Sequence, residues 1–249
     1  SDLNWEGQPF ARYKTIEQRP GRVEHLDEME GSVPGAAGEV RVHYWPEGGK
    51  ARRKQTEWLA VDPEKDFTRQ IRLKKLLAGT DYRLEVEGRP TGDGAGCRIS
   101  GGFRTAPAAD AVKPVQFVVT TCGEYPRRDA PKGHEIYRTM LAQQPDFFVH
   151  TGDIEYYDKP APFADTVELA RFKWNRLFAL PYQRAFHNAV SSYFMKDDHD
   201  TLKNDCWPGQ TYGELTWEDG LSIFREQMPM GTTPYRTFRW GQDLQVWLV

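Results

Sequence analysis

Phe147-Phe148-Val149-His150-Thr151-Gly152-Asp153-Ile154-Glu155-Tyr156 decides the reading of this chain. Phe147 to Val149 is a short continuous apolar run and predicts a buried strand. Gly152 lets the backbone turn sharply past its end, and Asp153 then projects from the sheet edge. Two further apolar runs end in the same way: Val118-Val119-Thr120-Thr121-Cys122 and Tyr193-Phe194-Met195-Lys196-Asp197-Asp198-His199-Asp200. A thiol, several carboxylates and an imidazole gathered past strand ends form a metal-ligand inventory. In open α/β sheets, sites lie beyond the carboxyl ends of neighbouring strands. The three clusters together predict a metalloenzyme.

Around these runs, strands and helices alternate. Val115 to Thr120, Phe147 to Val149 and Ser192 to Met195 predict strands. Ile136, Tyr137, Met140 and Leu141 fall at helical spacing. Asp165 to Leu180 predicts a longer helix, with Val167, Ala170, Phe172, Trp174, Leu177 and Phe178 apolar. Trp217 to Arg225 predicts another, with Thr216 as N-cap and Glu218 and Asp219 in its first turn. This alternation implies a sheet covered by helices.

The first hundred residues differ. Glu39 to Trp45 alternates polar and apolar and meets a turn at Pro46-Glu47-Gly48-Gly49. Thr56 to Val61 gives a second run. Leu77-Ala78-Gly79-Thr80-Asp81-Tyr82-Arg83-Leu84-Glu85-Val86 leads through a glycine turn into a strand, and Gly102 to Thr105 closes the series. Short strands at this spacing predict an antiparallel β-sandwich. The Tyr82 stretch looks like the late strands of a fibronectin type III or immunoglobulin-like module, where the tyrosine makes a corner hydrogen bond. The small-residue connector Ala106-Pro107-Ala108-Ala109 divides the chain. A sandwich is expected over 1–108 and an α/β domain over 109–249.

Lys and Arg total 33 against 36 Asp and Glu, a net charge of -3. That balance argues against a nucleic-acid-specific patch. No apolar stretch is long enough to span a bilayer. Ser1-Asp2-Leu3-Asn4 has no basic flank or apolar core, so any signal peptide is expected to be removed or absent. Cys97, Cys122 and Cys206 allow at most one internal pair. Cys97 and Cys206 fit buried apolar positions, whereas Cys122 keeps the company of ligands.

The chemistry follows from residue type. The Asp153 carboxylate can bridge two cations, and a pair about 3.5–4 Å apart clamps a phosphoryl group; Gly-Asp alone also fits a capped turn. Asp197, Asp198 and Asp200 repel each other unless a cation intervenes. An imidazole among them, His199, can protonate a leaving-group oxygen. Cys122 as thiolate suits iron or zinc. Tyr156 as phenolate suits ferric iron, and Tyr157 fits packing better. His150 fits packing or support of a ligand, His134 the surface, and His187 a structural role. Asn204 and Asp205 fit either support of the third cluster or a polar loop. Arg127 and Arg128 fit either substrate contact or a solvated pair.

In order, these motifs resemble the PhoD-type alkaline phosphatases, a branch of the calcineurin-like metallophosphoesterases. That branch has a cysteine in its first motif, Gly-Asp-x-x-Tyr in its second and Asp-Asp-His-Glu/Asp in its third. This chain has Thr121-Cys122, Gly152-Asp153-Ile154-Glu155-Tyr156 and Asp197-Asp198-His199-Asp200. The resemblance implies an N-terminal β-sandwich before a metallophosphoesterase domain, itself a β-sandwich flanked by helices. It implies that Cys122 binds the iron-like ion, Asp153 bridges, Tyr156 completes the iron site and Asp198 binds metal. His199 takes the catalytic role at the leaving group. The implied centre is binuclear or larger: iron with calcium, or other divalent ions such as zinc, manganese or magnesium. A metal-bound hydroxide or oxide would attack a phosphomonoester or phosphodiester, lipid and cell-wall polymers included. A catalytically silent adhesion module is the other class of reading. Export to the periplasm or outside the cell is implied as well.

Two features depart from the family pattern. Its first motif often reads Ser-Cys-Gln, here Thr121-Cys122-Gly123. The superfamily also supplies later histidine ligands, and none follows His199 in this sequence. Asp243 to Val249 reads as a core strand. The expectation is therefore that the catalytic domain continues past Val249 and that the closing histidines lie there.

Overall fold

A computed structural model describes residues 23–48, 52–91, 94–231, 233 and 235–249. Two adjoining sheets set up the site. The first is antiparallel and five-stranded: β1 (Glu39–Pro46), β2 (Lys54–Gln55), β3 (Leu59–Ala60), β4 (Asp81–Arg89) and β5 (Cys97–Arg104). β1 and β4 pair with Val42 opposite Val86 and Tyr44 opposite Leu84, so the alternation read in both runs meets across one register. Tyr82 is buried and stacks on Phe103, ring centroids 5.3 Å apart. Its hydroxyl accepts the Leu77 N–H at 2.9 Å, the corner hydrogen bond expected of it.

A second sheet to complete a sandwich is absent among the described residues. Instead β5 lies against the α/β half. The Gly102 N–H donates to Asn188 O at 2.7 Å, and a side chain at Gly101 would meet that same carbonyl at 2.6 Å. Arg104 links Asp81 (2.7 Å) to Asp146 (2.5 Å) across the junction. Cys97, expected inside, is exposed because the first half of β5 runs along the rim.

The second sheet is parallel: β6 (Phe117–Thr120), β7 (Phe147–His150) and β8 (Ser191–Phe194), in that order. β7 is central and all four of its residues are buried, which is why Phe147 to Val149 is continuously apolar. Four helices accompany it: α1 (Glu135–Ala142), α2 (Val167–Phe178), α3 (Pro181–His187) and α4 (Trp217–Gln227). Thr166 caps α2 by accepting the Leu169 N–H, and Thr216 and Asp219 form a reciprocal capping box on α4. α1 turns Tyr137, Met140 and Leu141 toward the core, whereas Ile136 faces solvent. Two hairpins flank α4, β9 (Thr211–Tyr212) with β10 (Leu215–Thr216) before it and β11 (Arg236–Trp240) with β12 (Leu244–Leu248) after it. The latter packs Trp240 on Phe147 (4.6 Å) and Phe238 on Tyr193 (3.9 Å). No helix among the described residues is long and apolar enough to cross a membrane.

His187 is enclosed by the rings of Tyr137, Phe148, Phe178, Phe186 and Phe194. Its Nδ1 meets Ser192 Oγ at 2.9 Å, and its buried Nε2 has no partner. Burial pulls its pKa down to about 3, and pulls that of His150 down to about 4. The unfolded chain, with imidazoles near 6.5, then binds more protons, so stability is full above that value and drains as pH falls toward 4. The loss per histidine is at most about 1.4 kcal/mol per pH unit. Melting temperature followed from pH 7 to 4 should drop, and His187→Phe should shallow that slope.

Candidate metal centre

The loops after β6, β7 and β8 leave neighbouring strands at the same end of the sheet. Cys122 follows β6, Asp153 follows β7, and Asp198 and His199 follow β8. Because β7 is the middle strand, Asp153 alone can face both neighbours. Cys122 Sγ lies 3.6 Å from Asp153 Oδ2, and the Tyr156 hydroxyl donates to that same oxygen at 2.9 Å. On the other side, ligand atoms of Asp153, Asp198 and His199 all lie within 4.8 Å of one another. Asp153 thus belongs to two donor groups, Cys122–Asp153–Tyr156 and Asp153–Asp198–His199.

Backbone geometry holds the loops together. The Cys122 N–H donates to Gly152 O at 3.2 Å and the Gly123 N–H to Asp153 O at 2.7 Å. Cys122 (φ 59°), Gly152 (φ 110°) and Asp153 (φ 53°) all adopt positive φ. Strained non-glycine backbone of this kind concentrates at functional sites. On the opposite side Asp200, fully buried, accepts the Ile154 N–H (3.0 Å) on one oxygen and the Asp197 N–H (2.6 Å) on the other. It ties the second loop to the third and is not aimed at the donor groups. Burial pushes its carboxyl up to about 8, against the pull of those two amides.

Two supporting residues escape a motif reading. The first is Asp158, whose Oδ1 lies 2.7 Å from His199 Nδ1 and whose Oδ2 accepts the Asn204 N–H at 3.0 Å. The second is Lys173, fully buried on α2. It shares a stripe with Ala170 and Leu177, so a charge on an apolar helix face was its signal. Burial pulls its amine down to about 7 despite the nearby Glu155. His199 is itself buried, and its ring lies 4.4 Å from that of Tyr156.

Other candidates fall outside. Tyr157 is wholly buried, and its hydroxyl accepts the Trp174 indole N–H at 2.7 Å. His150 is packed beneath the Gly152 turn, whose N–H it accepts at 3.4 Å. His134, expected at the surface, is half-buried because its Nε2 bonds to Glu124 O (2.9 Å) and its Nδ1 to Gln183 (2.5 Å). Arg127 pairs with Glu124, and Arg128 is buried on Glu30 beside the Tyr125 ring, so the two are not a solvated pair. Asp205 supports the third loop through its backbone, donating its N–H to Asp198 Oδ2.

The residues fit a cation. Asp153 Oδ1 is buried with no hydrogen-bond partner, a costly state for a carboxylate oxygen unless something positive meets it. Burial, together with hydrogen bonding to Cys122 and Asp153, pushes the Tyr156 phenol well above its ordinary range. Only a strong local positive charge would release its proton.

No curated protein matches this sequence. Solved structures do match in fold. A structure of PhoD superposes with a TM-score of 0.67 at 17% identity, over 86% of this chain and 45% of that one. The purple acid phosphatase PPD1 from yellow lupin (Lupinus luteus) seeds gives 0.53 at 15% identity, over 84% of this chain and 40% of that one. The chain therefore spans less than half the length of either structure. At these identities the likeness is one of fold. The sequence profile of the PhoD-like phosphatases matches residues 117–249, more than half of the chain and all three strand-end motifs, and the chain belongs to the PhoD-like phosphatase family.

Proposed function

We propose that the protein hydrolyses phosphoesters, mono- or diesters, at a metal centre built around Asp153. The observation that carries this is the position of Asp153 in both donor groups, with a buried carboxylate oxygen left unpartnered. Cys122 and Tyr156 would hold an iron-like ion with Asp153, since thiolate is a soft ligand and phenolate a strongly donating oxygen that suits ferric iron. Asp198 would join Asp153 at a second site, where carboxylate oxygens suit calcium or another hard divalent ion. When bound, the cations supply Lewis acidity and neutralise charge on the phosphoryl oxygens.

The chain's own groups supply the rest. Asp158 fixes the His199 ring through Nδ1, which leaves Nε2 as the nitrogen that delivers a proton to the leaving oxygen. Burial of His199 keeps water from competing for that proton. In the same reading residues 1–108 form a β-domain akin to a fibronectin III/Ig-like module, 109–249 an α/β catalytic domain, and the protein works in the periplasm or outside the cell.

The test is turnover of chromogenic phosphomonoesters and phosphodiesters before and after chelation. Loss on chelation and recovery with iron plus calcium supports the proposal. Chelator-resistant turnover, or none in metal-replete protein, refutes it. Asp158→Asn should lower kcat roughly 10- to 100-fold with KM little changed, because it loosens the proton donor without touching the phosphoryl clamp. Steady-state kinetics on both substrates measures that split.

A further inference from the structure

Lys173 has no solvent exposure, and a buried ammonium is costly unless its protons find acceptors. Its Nζ donates to the carbonyl oxygen of Tyr156 and to that of Pro160 (3.2 Å). It also lies 3.7 Å from Glu155 Oε1, on a side chain equally buried. That carboxylate oxygen accepts the Tyr156 N–H at 3.1 Å. Both main-chain polar groups of Tyr156 are therefore gripped from beneath, the carbonyl by Lys173 and the amide by Glu155.

Residues 156–160 carry the side chains that converge above. Tyr156 directs its hydroxyl at Asp153 and sets its ring against that of His199, and Asp158 holds His199 Nδ1. An apolar residue in place of a buried ion pair is often neutral or stabilising. Stability alone is therefore a poor account of a lysine at this place. We infer that Lys173 is a positioning residue: it anchors the 156–160 loop to α2 and so sets the Tyr156 phenol and the Asp158–His199 pair. The catalytic part of this inference rests on the phosphoesterase reading; the anchoring part does not.

Lys173→Met keeps the aliphatic stem and volume and removes the donors. Its partner variant Lys173→Met/Glu155→Gln avoids a lone buried carboxylate. Amide hydrogen exchange is measured on metal-free protein, and kcat and KM on metal-replete protein. The expected result is exchange at least about 10-fold faster at Tyr157 and Ala164, whose N–H groups bond to His199 O and Tyr157 O, with α2 unchanged. It is joined by a fall in kcat of roughly 10- to 100-fold and a KM within about threefold.

Wild-type loop protection and wild-type kcat in either folded variant overturn the inference, even if melting temperature falls. Failure of both variants to fold overturns it too, because the pair would then serve the whole fold. If the loop loosens but the wild type neither binds metal nor turns over phosphoester, the anchoring stands and the phosphoesterase reading fails.

Discussion

Asp153→Asn abolishes nearly all phosphoester turnover, by on the order of 1,000-fold or more, and leaves the fold intact. The scale is that of losing a group that meets charge developing in the transition state. Asparagine is isosteric and tolerates the left-handed backbone at φ 53° at least as well as aspartate. The substitution therefore changes charge at one point and little else. It also takes the negative charge off a group whose Oδ1 is buried without a partner. Metal-free Asp153→Asn should melt at the same temperature as metal-free wild type or higher, while the stabilisation that added metal gives the wild type disappears. Thermal melts with and without added iron and calcium, alongside turnover, check both halves.

Gly152→Ala should damage both the fold and the site. At φ 110° the backbone occupies a region that a side chain rarely adopts. A Cβ there would also stand 2.7 Å from the Asp197 Cβ and 3.2 Å from the Asp197 amide nitrogen. Relief requires the loop after β7 to move away from the loop after β8, separating Asp153 from Asp198. Strain and overpacking together cost roughly 2–5 kcal/mol. Denaturant melts should register that loss, and turnover should fall at least as far as in Asp153→Asn. A variant with wild-type stability and activity would contradict the close approach of the two loops.

The strand-end motifs were legible because three independent cues coincided. An apolar run marks each strand, a polar break marks its end, and the ligand types sit just past the break. Parallel order then made Asp153 the shared residue, which the sequence suggests only through family resemblance and the β6–β7–β8 arrangement explains. Helix α2 was legible through its apolar side and α4 through its cap, Thr216. Helix α3 was not, since seven residues beginning at Pro181 are too few for a clear period. Strand β11 was hidden because only Phe238 and Trp240 among its five residues are apolar, too few to mark a period.

Asp158 was illegible for a different reason. Its partner His199 is 41 residues away, and only the folding of one loop over another brings them within 2.7 Å. Arg128 and His134 were misread because loop residues are presumed solvated, whereas tertiary partners from Glu30 and Gln183 draw these two inward. The reading of the first half as a sandwich rested on strand spacing, which one antiparallel sheet satisfies equally well.

The central claim is that Asp153 organises a metal centre. Metal content of the purified wild type and of Asp153→Asn, measured by elemental mass spectrometry after exhaustive dialysis, tests it most directly. The account predicts near-stoichiometric iron with a second, divalent metal in the wild type and loss of both in the variant. Equal metal content in the two proteins, or none in either, would contradict it.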